Sequence, residues 1–150
     1  MTDQSTDILI SGGGIAGMTA AAVFASAGFD VVCVAPAPPV TERDAAGSDL
    51  RSTAFLQPAR DLLDDAGLWN RLAPYAAPLQ IMRIVDAGGV DPEPRVTRDF
   101  NAADLSDLPF GWNLPNWLLR REMVTRLGEL PNVDFRPGTA TTSLFTRQTE

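Results

Sequence analysis

The sequence predicts an α/β fold whose first part is a βαβ unit with parallel strands. Three observations predict it. A short apolar run, Asp7-Ile-Leu-Ile-Ser11, leads straight into glycine; a run of small residues, Met18–Ala27, follows; and a second apolar run, Val31-Val-Cys-Val34, comes after a Gly-Phe-Asp turn. Continuous short apolar runs are the pattern of strands buried on both faces, and two parallel strands need a crossover element of about this length.

Each element has a local reason. The first strand, within Asp7–Ser11, is expected to be buried on both faces. Gly12-Gly13-Gly14-Ile15-Ala16-Gly17 joins it to the helix and has the form G-x-G-x-x-G. Gly12 permits the tight turn, Gly14 lets backbone approach a pyrophosphate, and Gly17 lets the helix lie close to the strand. The helix N-terminus offers unpaired N–H groups and a positive dipole end, so phosphate can be held without lysine. The helix is expected over Met18–Ala27, with Gly17, Ala21 and Ala25 at four-residue intervals forming a close-packing face and Gly28 a left-handed cap. Strand, loop, helix and second strand in this order make a Rossmann-like dinucleotide site a better reading than a bare glycine-rich turn. Gly12, Gly13, Gly14, Ile15, Ala16 and Gly17 are therefore the candidate cofactor-binding residues. One element of the pattern is missing: Ala35 stands where an acid at the end of the second strand would hold a ribose. Either Glu42 or Asp44 reaches back from the following loop, or backbone and water hold the ribose.

Pro36, Pro38 and Pro39 forbid regular structure in the stretch from Ala35 to Gly47. Pro58 then suits the first turn of a helix in which Leu62, Leu63 and Ala66 share a face and Gly67 ends the run. Leu79–Asp86 reads as a strand followed by a Gly88-Gly89 turn, and Asp91–Pro109, charged and proline-containing, as a surface excursion. Trp117–Leu130 keeps helical spacing through Leu119, Met123, Leu127 and Leu130, with Asn116 as its N-cap. Pro131-Asn132 breaks that helix, and Val133–Phe135 and Thr139–Phe145 read as the starts of further strands. Trp69, Trp112 and Trp117 are expected to be packing residues, and Cys33 a small buried hydrophobe.

Composition narrows the chemistry. All 12 positive charges are arginine, because the 150 residues contain no lysine and no histidine, and there is one cysteine. That excludes an imidazole base, a Ser-His-Asp arrangement, a His-ligated zinc, a Schiff-base lysine and a Walker-type phosphate loop. No residue of the chain is expected to be catalytic in its own right, which favours a protein whose cofactor carries the reaction. The net charge of −7, with arginines scattered among acids, argues against a nucleic-acid partner. A lone cysteine fits a reducing, cytoplasmic location. The uncharged stretch Ile8–Phe29 is too rich in glycine and hydroxyl residues for a membrane span, and the acidic lead Met1–Asp7 is the wrong charge for a signal peptide.

Three blocks resemble the FAD-dependent aromatic-ring monooxygenases of the p-hydroxybenzoate hydroxylase type, and within them the ubiquinone-biosynthesis (2-octaprenylphenol) hydroxylases. They are Asp7–Val34, the block from Asp49-Leu-Arg51 through Gly67-Leu-Trp69, and Phe110-Gly-Trp-Asn-Leu-Pro-Asn116 with the helix after it. The resemblance implies that the glycine loop holds the FAD pyrophosphate, that Arg51 lies near the flavin side and that Asn116 contacts FAD. The plainer readings are a solvated charge for Arg51 and a helix cap for Asn116. Arg120 and Arg121 are expected to face solvent. The implied reaction is hydroxylation of a small aromatic molecule, a prenylated phenol, with NAD(P)H as electron donor and O2 as oxidant. The family's second FAD motif and its substrate-covering sheet are absent from residues 1–150, so the chain is expected to be the N-terminal, incomplete part of a longer FAD-binding monooxygenase. Any contact with a membrane surface or with ubiquinone-pathway proteins would come from regions outside it. Another FAD oxidoreductase, or a truncated non-catalytic nucleotide-binding or interaction module, are the alternatives.

Overall fold

The computed structural model describes residues 5–90 and 92–146, so the first part of the acidic lead, Asp91 at the head of the expected excursion, and residues 147–150 lie outside it. Strand β1 (Ile8–Ser11), helix α1 (Ile15–Ser26) and strand β2 (Val31–Ala35) form the expected βαβ unit, with β1 and β2 parallel and Ile8 opposite Val31. Helix α1 begins at Ile15 rather than Met18, because Gly14 is its N-cap and the Met18 N–H already bonds Gly14 O at 2.9 Å. Its other end is as expected. Gly28 has φ +96°, its N–H bonds Ala25 O, the Phe29 N–H bonds Phe24 O, and the Phe24 and Phe29 rings meet edge to face at 6.2 Å. This is a left-handed glycine cap with its accompanying apolar contact.

After the proline-rich stretch, which has no helix or strand, come β3 (Ser52–Leu56), α2 (Gln57–Asp65), α3 (Trp69–Leu72), β4 (Ala77–Pro78), β5 (Ile81–Asp86), β6 (Val96–Asn101), β7 (Gly111–Pro115), α4 (Asn116–Glu129) and β8 (Val133–Pro137). They make three sheets. The first is parallel, in order β1-β2-β8; the second is antiparallel, in order β3-β7-β4; the third is the β5–β6 hairpin. The core lies where α1 and α4 pack together over the parallel sheet, joined by Leu63, Leu68 and Leu72 from the α2–α3 region. Met18, Leu119 and Met123 are fully buried there; each such side chain contributes roughly 1.5–3 kcal/mol of burial free energy. Arg126 ties the ends of three helices, its Nε donating to Ala66 O at 2.9 Å and its Nη2 to Ser26 Oγ at 3.3 Å. Cys33 is buried, as expected, and burial pushes its thiol pKa up.

Several expectations need correction. It is β2, in the middle of its sheet, that is buried at every residue; β1 is an edge strand whose residues alternate, with Leu9 exposed. In α2, Leu63 is buried and Ala66 after it as well, but Leu62 turns outward. The segment expected as a surface excursion is on the surface, yet it contains a regular strand. β6 pairs with β5 from Ile81–Asn101 to Asp86–Val96, and one of its charges, Asp99, is taken up by a cross-strand ion pair with Arg83 at 2.7 Å. Strand β3, unassigned in the sequence reading, owes its form to pairing with β7. Thr139–Phe145 forms no strand. Gly138, at φ +85°, turns the chain across the ends of β1 and β2, where the Thr139 N–H bonds Ala35 O and the Thr141 and Ser11 hydroxyls meet at 2.7 Å.

Candidate functional site

The glycine loop sits at the C-terminal ends of β1 and β2, where open α/β sheets place their ligands. Gly12 has φ +132°, a conformation that side-chain-bearing residues rarely adopt, and its N–H bonds Val34 O at 2.8 Å. A Cβ on Gly17 would collide with the Gly12 carbonyl, and one on Gly13 would collide with the Ala35 methyl. The fold itself therefore requires these three glycines. Gly14 is different: its φ of −78° suits any residue, and a Cβ there would meet nothing within 4 Å. The space it would fill lies over the start of α1, where no side chain caps the helix and no acid occupies the first turn. The N–H groups of Ile15, Ala16 and Gly17 have no carbonyl one turn back to bond.

A cleft of about 400 Å³ opens beside the loop. Gly12, Gly13 and Gly14 form one wall and Ala35 with Pro36–Val40 another, and Arg120 supplies its one charged side chain. Neither Glu42 nor Asp44 lines it; both are exposed in the loop beyond. Ala35 is buried against Gly13, so the position that carries an acid in the common pattern is here part of the packing under the loop.

Arg51 and Asn116 belong to a neighbouring polar cluster centred on Asp49. Arg51 donates to both carboxylate oxygens of Asp49, Nε to Oδ1 at 2.8 Å and Nη2 to Oδ2 at 2.9 Å, while most of its side chain (83%) is exposed. Asn116 is 6% exposed; it accepts from Thr53 Oγ1 at 2.6 Å and donates through Nδ2 to Asp49 Oδ2 at 3.0 Å. Its backbone N–H bonds Arg51 O at 2.9 Å, which fixes the start of α4 against the chain before β3. Asn116 is the first residue of α4 and Pro115 the cap, with no side-chain cap bond. The expected capping role fails because the amide is already committed to Thr53 and Asp49, more than sixty residues away in sequence. Bonds from Arg51 and then Asn116 hold the Asp49 carboxyl well below the usual carboxylate range.

Arg120 joins the two sets of residues. It lines the glycine cleft and its Nη2 donates to Asp49 Oδ2 at 3.4 Å, so the expectation that it faces solvent is corrected; one turn beyond Asn116, α4 presents the same face. Arg121 turns the other way, pairing with Glu122 and lying 5.2 Å over the Trp117 ring. The sequence reading missed Asp49 and Thr53 as members of the cluster. The available signal was a carboxylate two residues before Arg51, a spacing that allows a local bidentate pair.

The FAD binding domain family matches residues 5–150. The ubiquinone hydroxylase UbiL of Rhodospirillum rubrum is 36% identical over 129 residues, which cover 86% of this chain and 28% of that protein. Among solved structures, p-nitrophenol 4-monooxygenase PnpA from Pseudomonas putida DLL-E4 is similar with a TM-score of 0.64 and 23% identity, over 87% of this chain and 31% of that one. The flavin-dependent monooxygenase PieE, solved with FAD and substrate, is similar with a TM-score of 0.64 and 24% identity, over 92% of this chain and 24% of that one. The chain spans less than a third of the length of these relatives.

Proposed function

Since the chain belongs to the FAD binding domain family, we propose that it is the cofactor-cradling part of a flavoprotein monooxygenase that hydroxylates a prenylated phenol in ubiquinone biosynthesis, with NAD(P)H as electron donor. The observation that carries the cofactor part is Gly14. Three of the four loop glycines are demanded by the chain's own packing or backbone, whereas nothing in the chain's own contacts demands a glycine at 14, and the space its Cβ would fill is open. That space faces a helix start without a capping side chain or an acid, which suits an anion. The identity to a ubiquinone hydroxylase over most of this chain supports the substrate class; fold likeness alone would leave the reaction open.

When bound, FAD supplies the redox and oxygen-activating chemistry. Residues of this chain bind and orient. Gly12 sets the turn, and the N–H groups at the start of α1 would hold the pyrophosphate. Arg51, exposed and oriented by Asp49, would present its guanidinium on the flavin side, and Asn116, nearly buried and bonded to Thr53 and Asp49, would reach the cofactor only with the bonding capacity its amide has left. No side chain here is assigned a proton-transfer or nucleophilic role. Among the described residues, no helix is long and apolar enough to cross a membrane. A prenylated substrate would bring the longer, cytoplasmic protein to a membrane surface through residues outside this chain.

The test is to purify the natural product of the whole reading frame. It is expected to carry flavin absorbance, to be stabilised against heat by added FAD, and to consume NAD(P)H while forming a hydroxylated phenol detectable by mass spectrometry. A colourless protein that FAD does not stabilise would favour a non-catalytic module. A flavoprotein that oxidises NAD(P)H without hydroxylating any phenol would favour another FAD oxidoreductase.

A further inference from the structure

We propose that Arg120 is a cofactor-binding residue whose guanidinium meets the pyrophosphate of FAD from the side of the cleft opposite the glycine loop. This rests on the FAD reading above and adds a charged contact to a site otherwise built from backbone. Four observations lead to it. Arg120 is the one charged side chain lining the cleft whose other wall is Gly12, Gly13 and Gly14. It is half-buried, with 26% of its side chain exposed, so its charge acts across a partly desolvated space rather than through bulk water. Its bond to Asp49 is long, 3.4 Å, and comes from Nη2, whereas Arg51 takes the same carboxylate in a close two-pronged grip. Asp49 thus steers Arg120 without saturating a group that carries five donors. Finally, the chain has no lysine, and the cleft has no acid: Ala35 is buried, and Glu42 and Asp44 stay outside. A diphosphate carries two negative charges, and a helix N-terminus offers the equivalent of about half a positive charge. A guanidinium lining the same cleft as the glycine loop supplies the missing countercharge with a planar donor set that suits phosphate oxygens.

The geometry separates Arg120 from its neighbour in sequence. Arg121 is ion-paired to Glu122 and stacked on Trp117, away from the cleft, and serves as the control. The experiment uses the full-length apoprotein and titrates FAD and riboflavin by quenching of flavin fluorescence, at low and at moderate salt. Arg120→Gln is expected to weaken FAD binding about 10- to 100-fold, the range for a lost charge-assisted hydrogen bond. Riboflavin, which has no phosphate, is expected to bind the variant within twofold of wild type. Arg120→Lys keeps the charge and is expected to recover part of the affinity and most of the salt dependence, which also guards against a folding defect in the glutamine variant. Arg121→Gln is expected to match wild type for both ligands. Arg120→Gln binding FAD within twofold of wild type would overturn the proposal, and so would an equal loss for FAD and riboflavin. Wild-type protein that binds neither flavin would overturn the FAD reading itself, an outcome distinct from both.

Discussion

Replacing Gly14 and Gly17 separately by alanine would separate what the fold needs from what a ligand needs. At Gly17 the added Cβ would stand 1.9 Å from the Gly12 carbonyl oxygen and 3.5 Å from Ile10 Cγ2, so the loop or α1 must move by more than 1 Å. Overpacking of this kind costs about 1–3 kcal/mol or more, a large share of a total stability of roughly 5–15 kcal/mol. For a chain of this size that lowers Tm by about 2–4 °C per kcal/mol. At Gly14 the backbone is ordinary and nothing lies within 4 Å of the new methyl. Here the entropy gained by restricting the unfolded chain, about 0.4–1 kcal/mol, offsets the poorer N-cap. Gly14→Ala should therefore melt within about 0.5 kcal/mol of wild type, the range for substitutions that break no contact. Its methyl would occupy the space over the α1 start, and FAD should bind at least about tenfold more weakly, a difference of about 1.4 kcal/mol. Thermal melts with and without FAD read both quantities. At 100 times its Kd, FAD should stabilise the wild type by about 2.7 kcal/mol, and the same concentration should stabilise Gly14→Ala by about 1.4 kcal/mol. Equal FAD stabilisation of wild type and Gly14→Ala would refute the ligand argument, and a Gly17→Ala protein that melts with wild type would refute the packing argument.

Asn116→Ala should lose about 1–3 kcal/mol in denaturant unfolding, because it leaves the Thr53 hydroxyl without its acceptor and strips Asp49 Oδ2 of one of its bonds, leaving those from Arg51 and Arg120, in a nearly buried site; a change below about 0.5 kcal/mol would show the cluster to be ornamental to stability. Cys33, buried and with its thiol pKa raised by burial, should react with a disulfide reagent at neutral pH only as fast as the protein opens, and stoichiometrically once it is unfolded; rapid labelling of the native protein would contradict its place in β2. The carboxyls of Asp49, Asp99 and Glu129 are all held below their ordinary values, first by hydrogen bonds from Arg51, Arg83 and Arg71 respectively. Their stabilising contribution is thus fully present above the unfolded carboxyl range near about pH 4 and is lost as pH falls through the folded values. Melting profiles should be flat on their account from neutral pH to about 5 and decline below about 4, and Asp49→Asn should decline less steeply than wild type; equal slopes would remove Asp49 from the linkage.

Features decided within a few residues were legible before the fold was known. The turn at Gly12, the glycine cap at Gly28 and the helix start at Pro58 depend on local backbone angles, and the periodicity of Leu119, Met123 and Leu127 depends on 3.6-residue spacing alone. What failed to show were features set by a distant partner. Strand β6 looked irregular because its regularity comes from pairing with β5, which also places Arg83 against Asp99. Asn116 looked like a cap because its real partners, Thr53 and Asp49, are 63 and 67 residues away. Thr139–Phe145 has strand-forming residues, but Gly138 sends it across the strand ends instead of along an open edge.

The same division runs through the candidate site. By itself, the sequence determined what the loop can offer: glycines at 12, 14 and 17 after an apolar strand, no lysine or histidine, and hence backbone and a helix start rather than reactive side chains. Only the tertiary structure decided which glycines serve the fold and which serves the cleft, since that distinction depends on what each absent Cβ would touch. It also decided that Ala35 packs under the loop and that Arg120, not an acid from the strand end, faces the space beside it. The physical reason is range. Backbone conformation and helix polarity are written in neighbouring residues, whereas charge placement depends on where α4 and the chain before β3 meet, a junction fixed by Asp49 carboxylate contacts spanning up to 71 residues.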